Sequence, residues 1–176
     1  KRDGQRAAGS ITILTRSNLN KITSFGGQGS YYQHHLWGDQ SDIAVSPDGT
    51  KLLVASKGAS SVCLHDISSG GTYISNSCTK VGGRPNGRPN QNYDRSWWKA
   101  WDYGGSYPDY HSDPSGVAFD SSGNIYVADG PKHMIKKFNS SGTYVSKYGS
   151  RDCWASGGDF CYPRGISVDS SDKIWV

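Results

Sequence analysis

The chain has 176 residues, of which 34% are hydrophobic, and its 19 Lys and Arg against 15 Asp and Glu give a formal net charge of +4. No apolar run approaches the roughly 18 residues that a membrane-spanning helix needs. The 23 glycines argue against a helical bundle, because glycine is costly inside helices, and an aromatic content of 12% is too high for a disordered chain. The length suits one domain, and the small charge does not indicate nucleic-acid binding.

The two ends of the sequence are unusual for a whole protein. The chain begins at Lys1, its one methionine is Met134, and no apolar signal segment opens it. Residues 173–176 end the chain inside an apolar run that lacks a closing turn. We therefore expect a processed product or a piece of a longer protein.

Alternating apolar residues between short polar turns predict strands along the whole chain. The first two predicted strands are residues 11–14 and 21–26, on either side of a polar turn. The segments 41–49, 114–123 and 163–172 then each contain a short strand followed by a polar turn. Further strands follow these segments at 52–55, 61–65 and 72–75, at 125–128, 134–138 and 143–148, and at 174–176.

These strands form copies of one repeat, a four-stranded meander that is typical of a β-propeller blade. Residues 10–26 match the third and fourth strands of a blade, and residues 163–176 match the first and second. The sequence therefore predicts an all-β propeller of four-stranded antiparallel blades. About three blades lie in this chain: two complete blades and two complementary half-blades at the termini.

The second complete copy resembles the NHL repeat. It has a proline and a glycine before an apolar strand that ends in Asp120, a glycine turn, the strand Ile-Tyr-Val-Ala-Asp at 125–129, and an Ile-x-x-Phe strand. Residues 163–176 match the first half of this pattern, and residues 41–78 resemble the related surface-layer propeller repeats. The resemblance implies a propeller and leaves the function open, because propellers carry unrelated activities.

We interpret the chain as a single NHL-like propeller domain, residues 1–176, or as part of one. Its sections are a half-blade at 10–26, a blade at 41–80, an aromatic insertion at 81–113, a blade at 114–150 and a half-blade at 163–176.

Propellers have roughly 4–8 blades, so three blades leave open sheet edges that favour pairing. Two chains joined head to tail would form a ring of six blades, and a contact that does not close would give a filament. A fragment of a longer propeller chain is the third alternative.

The four cysteines predict two disulfides. Cys63 and Cys78 are equidistant from the Gly70-Gly71 pair, so a hairpin that turns there places them opposite each other. Cys153 and Cys161 flank a glycine-containing loop that a second disulfide would close. Four reduced thiols are the alternative.

Disulfides form in oxidising compartments, and residues 139–141 form a glycosylation sequon with Asn139 as the acceptor. We therefore expect an extracellular or secreted protein, with the cell surface and the periplasm also open.

The long loops between blades carry the candidate binding residues, because aromatic side chains and arginine anchor protein interfaces and stack on sugars and bases. These candidates are Tyr31, Tyr32, Trp37, Arg95, Trp97, Trp98, Trp101, Tyr103 and Tyr107. The alternative is that they pack on the blades as a small core. The expected partners are a second copy of the chain or another extracellular protein, with a glycan as a further alternative. The basic residues of the insertion are too few to indicate a nucleic acid.

A zinc enzyme is one alternative class of function. Secreted peptidyl-amidoglycolate lyases hold zinc with propeller histidines, and some histidines of this chain precede first strands in comparable loops. The weak candidates for metal ligands are His34, His35 and His111. Because a three-histidine zinc site needs converging ligands and an open fourth position, we assign no metal site and no catalytic residue.

Propellers that resemble lactonases or strictosidine synthase use acidic ligands instead. Asp120, Asp129 and Asp169 occupy repeat positions that cap turns, so we do not interpret them as metal ligands. We predict no cofactor, with zinc or calcium as the alternatives.

The sequence thus favours an extracellular, non-catalytic interaction or assembly module. It would self-associate through its complementary terminal half-blades and bind with its aromatic loops. The alternatives are a fragment of a secreted propeller enzyme, of the metal-dependent lyase or lactonase class, and a glycan-binding propeller.

Overall fold

The computed structural model describes residues 10–14, 16–26, 40–57, 61–68, 78–82, 111–149, 153 and 160–176. Twelve strands follow one another within these residues. They are β1 (Ser10–Leu14), β2 (Lys21–Gly26), β3 (Gln40–Val45), β4 (Lys51–Ser56), β5 (Ser61–Asp66), β6 (Thr79–Lys80), β7 (Pro114–Phe119), β8 (Ile125–Asp129), β9 (Met134–Phe138), β10 (Tyr144–Gly149), β11 (Ser167–Val168) and β12 (Ile174–Trp175). None of the described residues forms a helix with the length and apolar character that a membrane crossing needs.

The strands form four antiparallel sheets. Two have four strands in sequential order, β3–β4–β5–β6 (blade 2) and β7–β8–β9–β10 (blade 3). Two have two strands, β1–β2 (half-blade 1) and β11–β12 (half-blade 4). The predicted all-β fold of antiparallel four-stranded blades, about three in this chain, is confirmed.

The fourth strand of blade 2 differs from the prediction. Residues 72–75, where the sequence predicts this strand, lie outside the described residues, and the strand that pairs with β5 is β6. Cys63 lies opposite Lys80, whereas a hairpin centred on Gly70-Gly71 would place it opposite Cys78. The predicted register is therefore wrong by two residues. Because side chains alternate with a period of two, this shift leaves Cys78 on the same face as Cys63.

The second strand of each complete blade is buried on both faces, because it lies between two neighbouring sheets. In β4, Leu52 and Val54 pack with Ile11 of half-blade 1. The alternate residues Leu53 and Ala55 belong to a different core, which they share with blade 3. Because successive side chains point to opposite faces of a strand, one face of the sheet packs on the preceding blade and the other face packs on the following blade.

The two faces of blade 3 pack on its two neighbours in the same way. Ile125, Val127 and Phe138 are fully buried in the core shared with blade 2. Tyr126, on the opposite face of β8, packs toward Ile166 of half-blade 4. Each fully buried apolar side chain of this size stabilises the fold by roughly 1.5–3 kcal/mol. The cores between the blades are thus a major source of stability.

Hydrogen bonds at the first strands repeat from blade to blade. The Ser41 hydroxyl donates to the Pro114 carbonyl oxygen at 2.5 Å, and the Ser115 hydroxyl donates to the Pro163 carbonyl oxygen at 2.7 Å. These serines occupy equivalent positions in blades 2 and 3, and each proline opens the next repeat. Asp42 of β3 also accepts the Val117 N–H of β7 at 2.9 Å. Each first strand is therefore tied to the next.

Gly116 allows blade 3 and half-blade 4 to approach closely. A Cβ atom at Gly116 would lie 2.6 Å from the Arg164 carbonyl oxygen and 3.0 Å from the Ile166 nitrogen, both backbone atoms. Gly165 is the equivalent glycine of half-blade 4, and a Cβ there would meet nothing within 4 Å.

We predict that Gly116→Ala lowers the free energy of unfolding by about 1–3 kcal/mol, because the added methyl group pushes two backbones apart. Gly165→Ala is the matched control and should change it by no more than about 0.5 kcal/mol. Urea unfolding followed by tryptophan fluorescence measures both. Equal stability of the two variants would contradict the close packing of blade 3 on half-blade 4.

Candidate functional site

The aromatic surface predicted from the sequence falls outside the described part of the chain. The residues concerned are Tyr31, Tyr32, Trp37, Arg95, Trp97, Trp98, Trp101, Tyr103 and Tyr107, together with His34 and His35. This surface stays a prediction. The structure does place His111, Asn139, the four cysteines and the three candidate aspartates.

Both predicted disulfides are present. Cys63 is bonded to Cys78 with a Cα–Cα distance of 5.4 Å, and Cys153 is bonded to Cys161 with a Cα–Cα distance of 4.7 Å. The first closes a loop at the outer edge of blade 2, and the second closes the loop that leads from blade 3 to half-blade 4. These bonds agree with an oxidising compartment.

A histidine lies beside each disulfide. The potential ligand atoms of Cys63, Cys78 and His65 lie within 4.8 Å of one another, and the same holds for Cys153, Cys161 and His133. Zinc binds cysteine as the thiolate, and all four sulfurs are in disulfides. The oxidised chain therefore does not offer zinc a set of three ligands at either place.

Asp120 and Asp169 cap the turns between the first and second strands, as the sequence predicted. Asp120 accepts the Asn124 backbone N–H at 2.8 Å and the Tyr126 hydroxyl at 3.1 Å. Asp169 accepts the Lys173 N–H and the Trp175 indole N–H, both at 3.0 Å.

The pKa values of these two carboxyl groups agree with that role. Burial raises the pKa of Asp120, but the hydrogen bonds from Asn124 and Tyr126 outweigh it and leave the pKa below its ordinary value. The hydrogen bond from Trp175 is the main cause of the lowered pKa of Asp169. Both carboxylates are thus engaged in turn structure, which argues against a calcium role for them.

Asp129 has a different role from a simple turn cap. Its carboxylate lies 2.7 Å from the Lys136 ammonium, and both side chains are buried. It also accepts the backbone N–H groups of Ser112 at 3.0 Å and Asp113 at 3.2 Å. Burial opposes its ionisation, but Lys136 keeps its pKa below the ordinary value. Asp129 therefore fixes the segment through which the aromatic insertion joins blade 3.

His111 connects the two ends of the aromatic insertion. It is buried, and its Nε2 lies 2.8 Å from the Val81 carbonyl oxygen, at the opposite end of the insertion. Because a carbonyl only accepts, Nε2 carries the proton. Lys57 forms a further ion pair with Asp113, at 3.1 Å. His111 thus has a structural role among the described residues, and its weak candidacy as a metal ligand stays a prediction.

The Asn139 side chain organises the turn between β9 and β10. Its Oδ1 accepts the Ser141 N–H at 3.1 Å, the Ser141 hydroxyl at 2.8 Å and the Thr143 N–H at 2.9 Å. The amide nitrogen takes no part in these bonds. Glycosylation at Asn139 stays a prediction.

The described residues contain an apolar groove between blade 3 and half-blade 4. Its volume is about 470 Å³, and it lies beside β12, the outer strand of half-blade 4. The lining residues are Tyr126, Ile135, Lys137, Ser146, Lys147, Tyr148, Phe160, Ile174 and Val176. Tyr148, Ile174 and Val176 are exposed. Exposed contiguous apolar surface is typical of interaction sites.

Sequence reasoning did not name this groove. The signal that indicates it is repeat equivalence, because Ile174 and Val176 occupy the positions of Ile125 and Val127. Trp175 likewise has the position of Tyr126, and it is 60% exposed where Tyr126 is 8% exposed. The groove and Trp175 therefore lie on two faces that a complete blade would cover.

The burial of His111 predicts a pH dependence. Burial is the largest cause that lowers its pKa from 6.5 to about 4; Lys136 lowers it further, and Asp129 opposes the change. Between these values the unfolded chain binds a proton that the folded chain does not. The contribution of His111 to the free energy of unfolding is therefore complete above pH 6.5 and is lost as the pH falls toward 4. The largest loss is about 3 kcal/mol.

Urea midpoints of the native chain and of His111→Gln, measured from pH 7 to pH 4.5, check this dependence. The variant should be less stable at pH 7 and should lose less stability on acidification. Identical slopes for the two proteins would contradict a buried neutral histidine at the base of the insertion.

Comparison with known proteins agrees with this architecture. Residues 112–138 match the family model of the NHL repeat, which covers β7 to β9. No curated protein gives a significant match to the sequence.

Several solved structures resemble the fold. Regucalcin from Agrobacterium tumefaciens, described as a calcium-binding protein, is 13% identical with a TM-score of 0.54, over 97% of this chain and 44% of that protein. An auxiliary nutrient binding protein from Bacteroides thetaiotaomicron is 15% identical with a TM-score of 0.55, over 93% of this chain and 39% of that protein. Hydrazine synthase from Kuenenia stuttgartiensis is 16% identical with a TM-score of 0.48, over 83% of this chain and 30% of that protein.

The chain thus spans less than half the length of each of these proteins. At this level of identity, the regucalcin and nutrient-binding structures bear on the fold alone. With the sequential four-stranded sheets, they identify the chain as about three blades of a β-propeller, and residues 112–138 of blade 3 match the NHL repeat.

Proposed function

We propose that this chain is an extracellular, non-catalytic interaction and assembly module. Its chains associate head to tail through the terminal half-blades, and its aromatic loops provide a further binding surface. The observation that carries the proposal is the exposed apolar groove beside β12, where Ile174 and Val176 occupy the positions of the fully buried Ile125 and Val127 of blade 3.

Several features support this function over an enzymatic one. The carboxylates of Asp120 and Asp169 are occupied by turn hydrogen bonds, and the cysteines beside His65 and His133 are in disulfides. The name of regucalcin includes calcium binding, but the likeness rests on 13% identity and bears on the fold. The two disulfides support the extracellular location.

A head-to-tail contact joins different surfaces of two copies, so it closes into a ring or continues as a filament. Two chains supply four complete blades, two copies of half-blade 1 and two copies of half-blade 4. Each half-blade 1 would join one half-blade 4, which gives the six blades of a closed ring. A filament uses the same contact with a different rotation at each junction.

Native mass spectrometry with light scattering, on the non-reduced 176-residue chain over a range of concentrations, tests the association. We expect a particle of two chains, or a large particle of graded mass if the contact does not close. A particle of one chain at every concentration would contradict self-association.

The aromatic loops have their own test, because a binding surface and a buried core respond differently to truncation. If these side chains face solvent, the free energy of unfolding of the double variant Trp98→Ala/Trp101→Ala should lie within about 0.5 kcal/mol of that of the native chain. Phe138→Ala, which truncates a fully buried side chain, is the control and should cost about 3–5 kcal/mol. A comparable loss in the double variant would show that the tryptophans form a core rather than a binding surface.

A further inference from the structure

The two disulfides with a neighbouring histidine differ in how far solvent can reach them. The groups are Cys63, Cys78 and His65 (the blade cluster) and Cys153, Cys161 and His133 (the loop cluster). No member of the blade cluster is exposed. In the loop cluster the histidine is buried, but Cys161 is exposed and Cys153 is half-buried. A reductant or a metal ion therefore reaches a sulfur of the loop cluster more readily.

The backbone holds both cysteines of the loop cluster close to His133. The N–H of Tyr162, the residue after Cys161, donates to His133 Nδ1 at 3.0 Å. The Tyr162 ring also packs edge-on against the imidazole, with 4.4 Å between the ring centroids. On the side of Cys153, the backbone of Gly149 approaches so closely that a Cβ atom there would lie 2.4 Å from the His133 carbonyl oxygen. These contacts keep the two sulfurs near the imidazole even when their own bond is broken.

The Nδ1 atom of His133 is suited to bind a metal ion. It faces Cys161, because the N–H that it accepts belongs to the next residue along the chain. An acceptor nitrogen carries a lone pair and no proton, which is the form of histidine that metals bind. Tyr162 has a φ of 52°, in the left-handed region that is unfavourable for tyrosine. Exchanging its N–H for a metal ion allows this residue to leave that conformation.

We propose that the loop cluster is a redox-controlled metal site, which after reduction binds Zn²⁺ through the thiolates of Cys153 and Cys161 and through His133 Nδ1. Sulfur and nitrogen ligands of tetrahedral zinc lie about 3.5–3.8 Å apart. The three potential ligand atoms lie within 4.8 Å of one another, so a small movement brings them to the ion. The fourth position stays open for water. This site goes beyond the proposed function and does not depend on it.

A dithiol supplies the two electrons that open the site. Its thiolate attacks the exposed Cys161 sulfur, the S–S bond breaks, and Cys153 leaves as a thiolate that takes up a proton. The second thiol of the reagent then attacks the mixed disulfide. The reagent departs as a cyclic disulfide, and Cys161 is released as a thiol. Zn²⁺ binding then displaces one proton from each cysteine, because the metal binds the thiolate form.

Partial reduction with dithiothreitol tests the accessibility of the loop cluster. The native chain is reduced for graded times, alkylated with iodoacetamide and mapped by mass spectrometry of its peptides. The Cys63–Cys78 bond is a control within the same molecule, because it also lies beside a histidine but has no exposed sulfur. We expect Cys153–Cys161 to be reduced at least about ten-fold faster, since exchange depends on access to the sulfur. Equal rates, or faster reduction of Cys63–Cys78, would overturn the proposed control by reduction.

Cobalt titration tests the metal site itself. The selectively reduced chain, separated from dithiothreitol without air, is titrated with Co²⁺, whose thiolate complexes have an intense charge-transfer absorption. We expect this absorption to saturate at one Co²⁺ per chain and to disappear on addition of Zn²⁺, because tetrahedral sulfur and nitrogen sites favour zinc. The oxidised chain should not show it. A selectively reduced chain without this absorption would overturn the proposed site.

A substitution of His133 tests its part as a ligand. His133 has a φ of 55°, which asparagine tolerates, and the asparagine Oδ1 can still accept the Tyr162 N–H. Even the outer partner of a metal ligand contributes about 10–100-fold to metal affinity, so His133→Asn should weaken Co²⁺ binding by at least about 100-fold. His65→Asn is the matched control and should leave Co²⁺ binding to the selectively reduced chain unchanged. Undiminished binding in His133→Asn would overturn the proposed ligand set.

A second variant keeps the test independent of how His133→Asn folds. Cys153→Ser/Cys161→Ser retains the Cys63–Cys78 bond, and near-ultraviolet circular dichroism checks its tertiary structure. After the same treatment with dithiothreitol, it should show no charge-transfer absorption with Co²⁺. Absorption equal to that of the selectively reduced native chain would place the metal elsewhere and overturn the inference, and the proposed self-association would be unaffected.

Discussion

The structure depends on the fact that each sheet has two apolar faces, each of which must be covered. In β8, Val127 lies in the core shared with blade 2, and the adjacent Tyr126 packs toward half-blade 4. A sheet of this kind is stable only between two neighbours, because covering one face leaves the other in water. In half-blade 4 the position of Tyr126 is taken by Trp175, which is 60% exposed.

The contacts between successive blades are repeated from one blade to the next. Ser41 and Ser115 donate to the carbonyl groups of Pro114 and Pro163 from equivalent positions. Gly116 allows the next first strand to approach closely. Such contacts fix the rotation from one blade to the next, and a fixed rotation decides whether a series closes into a ring or continues.

Most of the fold could be predicted from the sequence, whereas the groove was not predicted and only the equivalence of repeat positions indicates it. The strands 125–128 and 134–138 were predictable because apolar alternation and the turns at Asp120 and Asn139 are local signals. The predicted register of β6 was wrong because the register depends on how residues 66 to 79 connect, and two glycines alone do not determine that connection. The groove depends on which faces remain uncovered, and this is a property of the assembled blades rather than of any segment.

One position of the third strand distinguishes half-blade 1 from the complete blades. In complete blades this position is occupied by His65 in blade 2, opposite Leu52, and by Phe138 in blade 3, opposite Ile125, and both are fully buried. The residue two positions earlier, Cys63 or Lys136, is buried as well, in a disulfide or an ion pair. Half-blade 1 has Thr12 and Leu14 at these positions, which carry no charge, and only the Thr12 hydroxyl would need a hydrogen-bond partner when buried. Burying such a face therefore costs less desolvation than burying an unpaired lysine at the same position, which would cost several kcal/mol.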